Sequence, residues 1–120
     1  MKATILFSDG RLIDLDLQQK FYTIGRHPSC SVCLSPLDLA VSNRHASIFR
    51  SDRNTWVVTD GDLITGKSSR GGLIINGQRL DANHGHELQN GDIVQLSIDT
   101  LFYFFLESHA RQTTEGDTVL

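Results

Sequence analysis

The pattern that most restricts how this chain can fold is an apolar alternation of period two, cut off by turn residues every few positions. Ile13, Leu15 and Leu17 alternate with Asp14 and Asp16, which puts one set of side chains on a buried face and the other in water. Ser8-Asp9-Gly10 precedes that stretch, and Asn76-Gly77 and Asn90-Gly91 punctuate the second half. Asp-Gly and Asn-Gly supply the positive φ angles that tight hairpin turns require. Strands are expected at Lys2–Phe7, 11–17, Phe21–Gly25, 31–34, Ala46–Arg50, 55–59, 73–75, 78–80, 93–97 and Leu101–Glu107. No window of helical length carries an amphipathic period of 3.6; at most a short helical turn is expected near 36–39. Short strands with close turn signals predict an all-β sandwich. Residues 60–72 read as a long surface loop. The aperiodic stretch 108–120 reads as a flexible tail or linker start, leaving 1–107 as the domain.

Composition narrows the partners. Eleven Lys and Arg against 14 Asp and Glu give a formal charge of −3, which argues against nucleic acid or a membrane surface as ligand but leaves room for one local basic site. The N-terminal apolar run is too short for a secretion signal, and nothing approaches the roughly 20 apolar residues that span a bilayer. A cytoplasmic protein with reduced thiols is expected. Cys30 and Cys33 form a solitary Cys-x-x-Cys; zinc would need two further ligands, and a thioredoxin-type site would precede a helix. His84-Gly85-His86 has no third ligand nearby and reads as loop polarity. No metal and no cofactor are expected. Trp56 and the run Phe102, Tyr103, Phe104, Phe105 alternate within strands and read as core, with an outward pair available to a protein interface.

Three inter-strand segments carry the polar groups of interest. They are Gly25-Arg26, then Ser42-Asn43-Arg44-His45, then Ser69-Arg70-Gly71-Gly72. Together they hold three guanidinium groups, two hydroxyls and an amide, with no carboxylate among them. Such a set suits an oxyanion: Arg offers a rigid fork to two phosphate oxygens, hydroxyls and backbone amides complete the shell, and glycines permit close approach. Convergence of the three segments does not follow from sequence.

The ordered motifs Gly25-Arg26, Ser42-x-x-His45, Asn76-Gly77 and Gly91-Asp92 resemble those of the forkhead-associated (FHA) domain, over roughly 4–107. The resemblance implies an FHA-like β-sandwich of about ten to eleven short, mostly antiparallel strands, with the binding site in loops at one end. It implies a phosphothreonine-dependent protein-binding module of signalling-adaptor type, not an enzyme, whose partner is a threonine-phosphorylated protein or peptide. Position by position, Arg26 is similar to the family's main phosphate-binding arginine and Ser42 to its phosphate-contacting serine. Arg44 and Arg70 are expected to support the phosphate. Asn43, Ser69 and Gly71 are expected along the peptide. Gly25, His45 and Asn76 are expected to be structural, His45 as a brace between loops. One departure stands out: Gly71 occupies the place of the asparagine that in the family holds the peptide backbone.

Other readings of the same residues stay open. Arg26 read alone is an ordinary solvated charge, and Ser42 a local turn-former. Ser42, His45 and Asp60 are the residue types of a hydrolytic triad, but Ser42 lacks nucleophile-elbow glycines, and Ser-x-x-His on extended backbone points its two side chains to opposite faces. Gly71 favours a phosphate-independent interaction scaffold on the same fold. Thr113 and Thr114 in the tail offer kinase targets that would bring a phosphorylated segment to the domain's own site.

Overall fold

The computed structural model describes residues 2–107. The domain boundary at 107, the tail reading of 108–120 and the candidate phosphosites Thr113 and Thr114 meet or lie outside the described residues. Eleven strands form among them: β1 (Lys2–Phe7), β2 (Leu12–Leu15), β3 (Phe21–Gly25), β4 (Val32–Cys33), β5 (Ala46–Arg50), β6 (Trp56–Asp60), β7 (Ile74–Ile75), β8 (Gln78–Arg79), β9 (His86–Glu87), β10 (Ile93–Gln95) and β11 (Leu101–Glu107). One sheet runs β2-β1-β11-β10-β7-β8, the other β4-β3-β5-β6-β9. Of the described strand pairs, β3–β4 alone is parallel.

Alternation decides which residues enter the core. In β1, Ala3, Ile5 and Phe7 point inward, and in β11 so do Phe102 and Phe104. From the facing sheet come Ile24, Ile48, Trp56 and Val58, all but excluded from water. Fully burying an aliphatic or aromatic side chain is worth about 1.5–3 kcal/mol, so these rows hold the two sheets together. Tyr103 and Phe105 face out, 38% and 40% exposed, and stack with ring centroids 6.3 Å apart. The aromatic run is therefore half core and half surface, as a period of two requires.

The turn chemistry is as the dipeptides suggested. Asn76 (φ 51°) and Gly77 (φ 85°) join β7 to β8, and Gly10 takes φ 95° between β1 and β2. Three expectations need correction. Strand β2 stops at Leu15, and Leu17 lies outside it, 47% exposed; Gln18 N donates to the Asp16 carboxylate and Gln19 N to the Asp16 carbonyl, so a local turn displaces the pairing. Residues 36–39 form turns, not a helical segment. His86 belongs to a short strand pairing with Val58; two residues are too few to show a period.

Asp92, 6% exposed, ties the second Asn-Gly turn to the first. It accepts from Asn76 Nδ2 (2.8 Å), from His86 Nε2 (2.8 Å) and from Gln89 N (2.8 Å). Burial pushes its carboxyl up, but the bonds from Gln89, His86 and Asn76 outweigh that and hold it below the usual carboxylate range. Asp92→Ala leaves these three donors without their acceptor. It should lower stability by about 2–4 kcal/mol in urea unfolding; a loss below about 0.5 kcal/mol would show the network to be dispensable.

Candidate functional site

The three Arg-bearing segments meet at one end of the sandwich, and backbone hydrogen bonds bring them there. At the end of β3 the chain runs so close to the second segment that a Cβ on Gly25 would lie 2.1 Å from the Asn43 carbonyl oxygen. Only glycine fits. Just beyond, Arg26 N donates to the Ser42 carbonyl (3.3 Å) and His27 N to that of Asn43 (3.0 Å). The third segment joins through Ser42, whose hydroxyl oxygen accepts from Arg70 N at 3.0 Å.

Two guanidinium groups are seated on the same short stretch of chain. Arg26 Nε donates to the Val41 carbonyl at 2.5 Å, and Arg70 Nη2 to the Leu39 carbonyl at 3.1 Å. Among the described residues, neither terminal nitrogen of Arg26 has a protein hydrogen-bond partner. Arg26 is half-buried and Arg70 exposed. Two cations and a serine hydroxyl thus cluster around 39–42 with donors to spare.

Behind them sits His45, fully buried. Its Nδ1 accepts from Ser42 N (2.9 Å), so Nε2 carries the hydrogen and donates to the Gly72 carbonyl (2.8 Å). Its own N–H donates to the Ile24 carbonyl (2.8 Å). One imidazole therefore fixes the second segment against the third. Burial depresses its pKa, with the Gly72 bond and the charges of Asp60 and Asp38 opposing; the neutral ring is the form these bonds need.

The other expected residues divide. Arg44 turns toward Ser29 Oγ (Nη2 at 2.8 Å) and the buried Asp62 carboxylate (Nε at 3.8 Å). Ser69 is committed to its own loop: its hydroxyl donates to Asp60 and accepts from Gly72 N at 2.8 Å. Asn43 projects an exposed side chain and uses its carbonyl to hold His27 N and Cys30 Sγ (3.3 Å). Gly71 is exposed, and its carbonyl accepts from Arg79 Nη1 at 2.8 Å. Asn76 lies apart from the cluster; its side chain closes the β7–β8 turn against Asp92 and Ile93 N.

Sequence reasoning missed Asp62 and Arg79 as parts of this end of the molecule, and it brought Asp60 here only as the acid of the triad reading. The carboxylates lie outside the three segments and enter because β6 and a small bridge between Asp62 and Lys67 carry them in. Arg79 arrives through its pairing with Ile74. The triad geometry is not formed. His45 bonds the backbone of Ser42 and not its hydroxyl, Asp60 holds Ser69, and the Ser42–His45 segment is a turn instead of extended chain. Burial pushes the Cys30 thiol up; Cys33 is exposed, and both are free. Among the described residues no group of three His, Cys, Asp or Glu could hold a metal ion.

Comparison with known proteins is consistent across sequence and structure. The family model for the FHA domain matches residues 22–97. An uncharacterized Synechocystis protein, sll1895, is 36% identical over 107 residues, covering 83% of this chain and 14% of its own length. The serine/threonine-protein kinase cds1 of Schizosaccharomyces pombe is 31% identical over 83 residues, 69% of this chain and 18% of that protein. The chain thus spans less than a fifth of these curated relatives. Among solved structures, Slr1951 of Synechocystis superposes with TM-score 0.74 at 27% identity, covering 90% of this chain and 98% of that one. The N-terminal FHA domain of Saccharomyces cerevisiae Rad53p, solved in complex with a phosphothreonine peptide, superposes with TM-score 0.73 at 22% identity, covering 94% and 99%.

The brace makes stability depend on pH in a definite direction. With His45 depressed in the folded state, the unfolded chain binds more protons below its ordinary value of 6.5, so stability falls as pH drops through that value. The urea midpoint should decline between about pH 7 and about pH 5. His45→Gln should be less stable at neutral pH by about 2–3 kcal/mol and show a shallower decline. An unchanged slope in that variant would remove His45 as the cause.

Proposed function

The chain belongs to the FHA domain family, and from that premise we propose that it is a phosphothreonine-dependent protein-binding module whose anion site lies at Arg26, Ser42 and Arg70. FHA domains are binding modules, and the kinases among its relatives carry theirs as one part of a longer chain. The observation that carries the proposal is the seating of the Arg26 and Arg70 side chains on the carbonyls of Val41 and Leu39, in the stretch that leads into Ser42. A phosphate dianion is met there by charge-assisted donors already held in place, so little side-chain entropy remains to be lost on binding.

Roles follow from how far each group is already engaged. Arg26 has terminal donors to offer and is the principal phosphate ligand. Ser42 donates its hydroxyl hydrogen to phosphate while its oxygen accepts from Arg70 N. Arg70 supplies a second charge. Arg44, drawn to Asp62, supports from the side. Asn43 and the Gly71 backbone line the peptide, while Ser69 acts through the shape of its loop. Burying a threonine methyl contributes about 0.8 kcal/mol, a few-fold preference over serine.

A second reading, a phosphate-independent scaffold, is favoured by one feature: Gly71 in place of the family's asparagine. Gly71 does not have positive φ, and a Cβ there would meet only the Ala40 and Leu96 carbonyls at 3.8 and 4.0 Å. The backbone at Gly71 therefore accepts a Cβ without strain.

Two variants test the readings by fluorescence anisotropy on phosphothreonine peptides, with unphosphorylated controls. Arg26→Ala should weaken phosphate-dependent binding by about 10- to 150-fold while the thermal midpoint moves by only a few degrees. Equal binding of phosphorylated and unphosphorylated peptide by the folded wild-type domain would favour the scaffold. Gly71→Asn should keep the fold and tighten phosphopeptide binding by about five-fold, one added hydrogen bond. No gain would mean that the peptide backbone does not pass Gly71.

A further inference from the structure

Next to the third Arg-bearing segment the surface opens into a cleft of about 370 Å³, the size of pockets that enclose a whole side chain or small ligand. Its floor and walls are mainly apolar, from Ile74, Leu96 and the 89% exposed Ile98. Gly71 lies on its edge, one residue from Arg70, so the cleft is continuous with the anion site. At its rim stand two carboxylates, Asp38 and Asp99, and no Lys or Arg lines it.

The two carboxylates differ in how they are held. Asp38 accepts from Ser97 Oγ (2.5 Å), Thr100 Oγ1 (2.6 Å) and Ala40 N (3.2 Å). The Ser97 bond first, then that of Thr100, lowers its pKa below the ordinary carboxylate value, with the Arg26 charge a smaller contributor. Asp38 thus fixes the 97–100 turn and remains charged. The Asp99 side chain has no partner among the described residues; its backbone is pinned by Ser97 Oγ and Ser8 Oγ. A fixed turn presents a charge with nothing to neutralise it.

We infer that this cleft takes a lysine or arginine of the same phosphorylated partner, lying near the phosphothreonine, its aliphatic stem on Ile74, Leu96 and Ile98 and its cationic head at Asp99 and Asp38. The inference rests on the phosphothreonine reading of the anion site and extends it to the flanking sequence. An apolar floor with acidic rims suits a long stem ending in a cation, whereas an acidic residue meets two like charges. The partner would therefore carry a phosphate and a cation side by side, matching a domain surface that sets guanidinium groups beside carboxylates. Electrostatic complementarity of this kind chooses between partners more than it raises affinity.

The test is anisotropy on phosphothreonine peptides in which Lys, Leu, Glu or Ala is placed at each flanking position in turn, against wild type and Asp99→Asn. Asp99→Asn leaves the Asp38 turn intact. At one position Lys should bind about two- to five-fold more tightly than Ala, and Glu more weakly than Ala. That advantage should vanish in Asp99→Asn and shrink as salt rises. If Leu matches Lys at every position, or the lysine preference survives Asp99→Asn, the inference is overturned while the phosphothreonine reading stands. Binding to no phosphothreonine peptide by the folded domain overturns both.

Discussion

One imidazole ties the loop of Ser42 to the loop of Gly72. His45 accepts the Ser42 N–H on one ring nitrogen and gives the hydrogen on the other to the Gly72 carbonyl, so two loops separated by 27 residues share a buried link beside the Arg70 N–H bond to the Ser42 hydroxyl. No water reaches the ring, and a lost partner there would leave a buried polar group unpaired. The position also demands a particular tautomer, Nε2–H, because Nδ1 must accept. The Ser42 hydroxyl and the Arg70 amide that bonds to it lie on the two segments that this concealed contact joins. The Gly25–Asn43 approach completes it from the other side, since any side chain at 25 would wedge the first two segments apart.

The fold was legible because its signals are local. Alternation in β1 and β11, Asp-Gly at the first turn and Asn-Gly at two later ones suffice to lay out most strands and their inward rows. Boundaries were less legible where a polar side chain competes with the ladder. Asp16 pulls two following backbone amides into a turn and ends β2 before Leu17. Strand β9 has two residues, too few to show a period, and its pairing to β6 is fixed by tertiary structure.

The site was legible in a different manner. Residue types in the three segments suggested an oxyanion, but nothing local could bring them together; the family resemblance supplied that step. Engagement within the loops was invisible to both. Ser69 has the chemistry of a ligand contact, yet its hydroxyl is used on both sides, by Asp60 and by Gly72 N. Arg79 gave no signal at all: it sits on a two-residue strand, and its role at the Gly71 carbonyl arises from the register with Ile74.

Net charge was the weakest guide, and the geometry explains why. A chain carrying −3 can still present a cationic face if its carboxylates stand behind the arginines or to one side of them. Asp60 and Asp62 are 9% and 5% exposed and spend their oxygens on Ser69, Arg44 and backbone amides. Their fields are directed into the loops that hold the arginines, where they also stiffen them. Arg26 and Arg70 hydrogen-bond backbone carbonyls instead, which orient a guanidinium without cancelling its charge, and Asp38, the carboxylate that feels the Arg26 charge, is itself bonded to Ser97 and Thr100. At physiological salt the distant acidic residues are screened within about 8 Å, so an approaching anion meets the local arrangement and not the sum over the sequence. A carboxylate in place of either carbonyl contact would keep the same hydrogen bond and neutralise the site, which is why the seating of these two side chains, more than their number, decides what this end of the domain can bind.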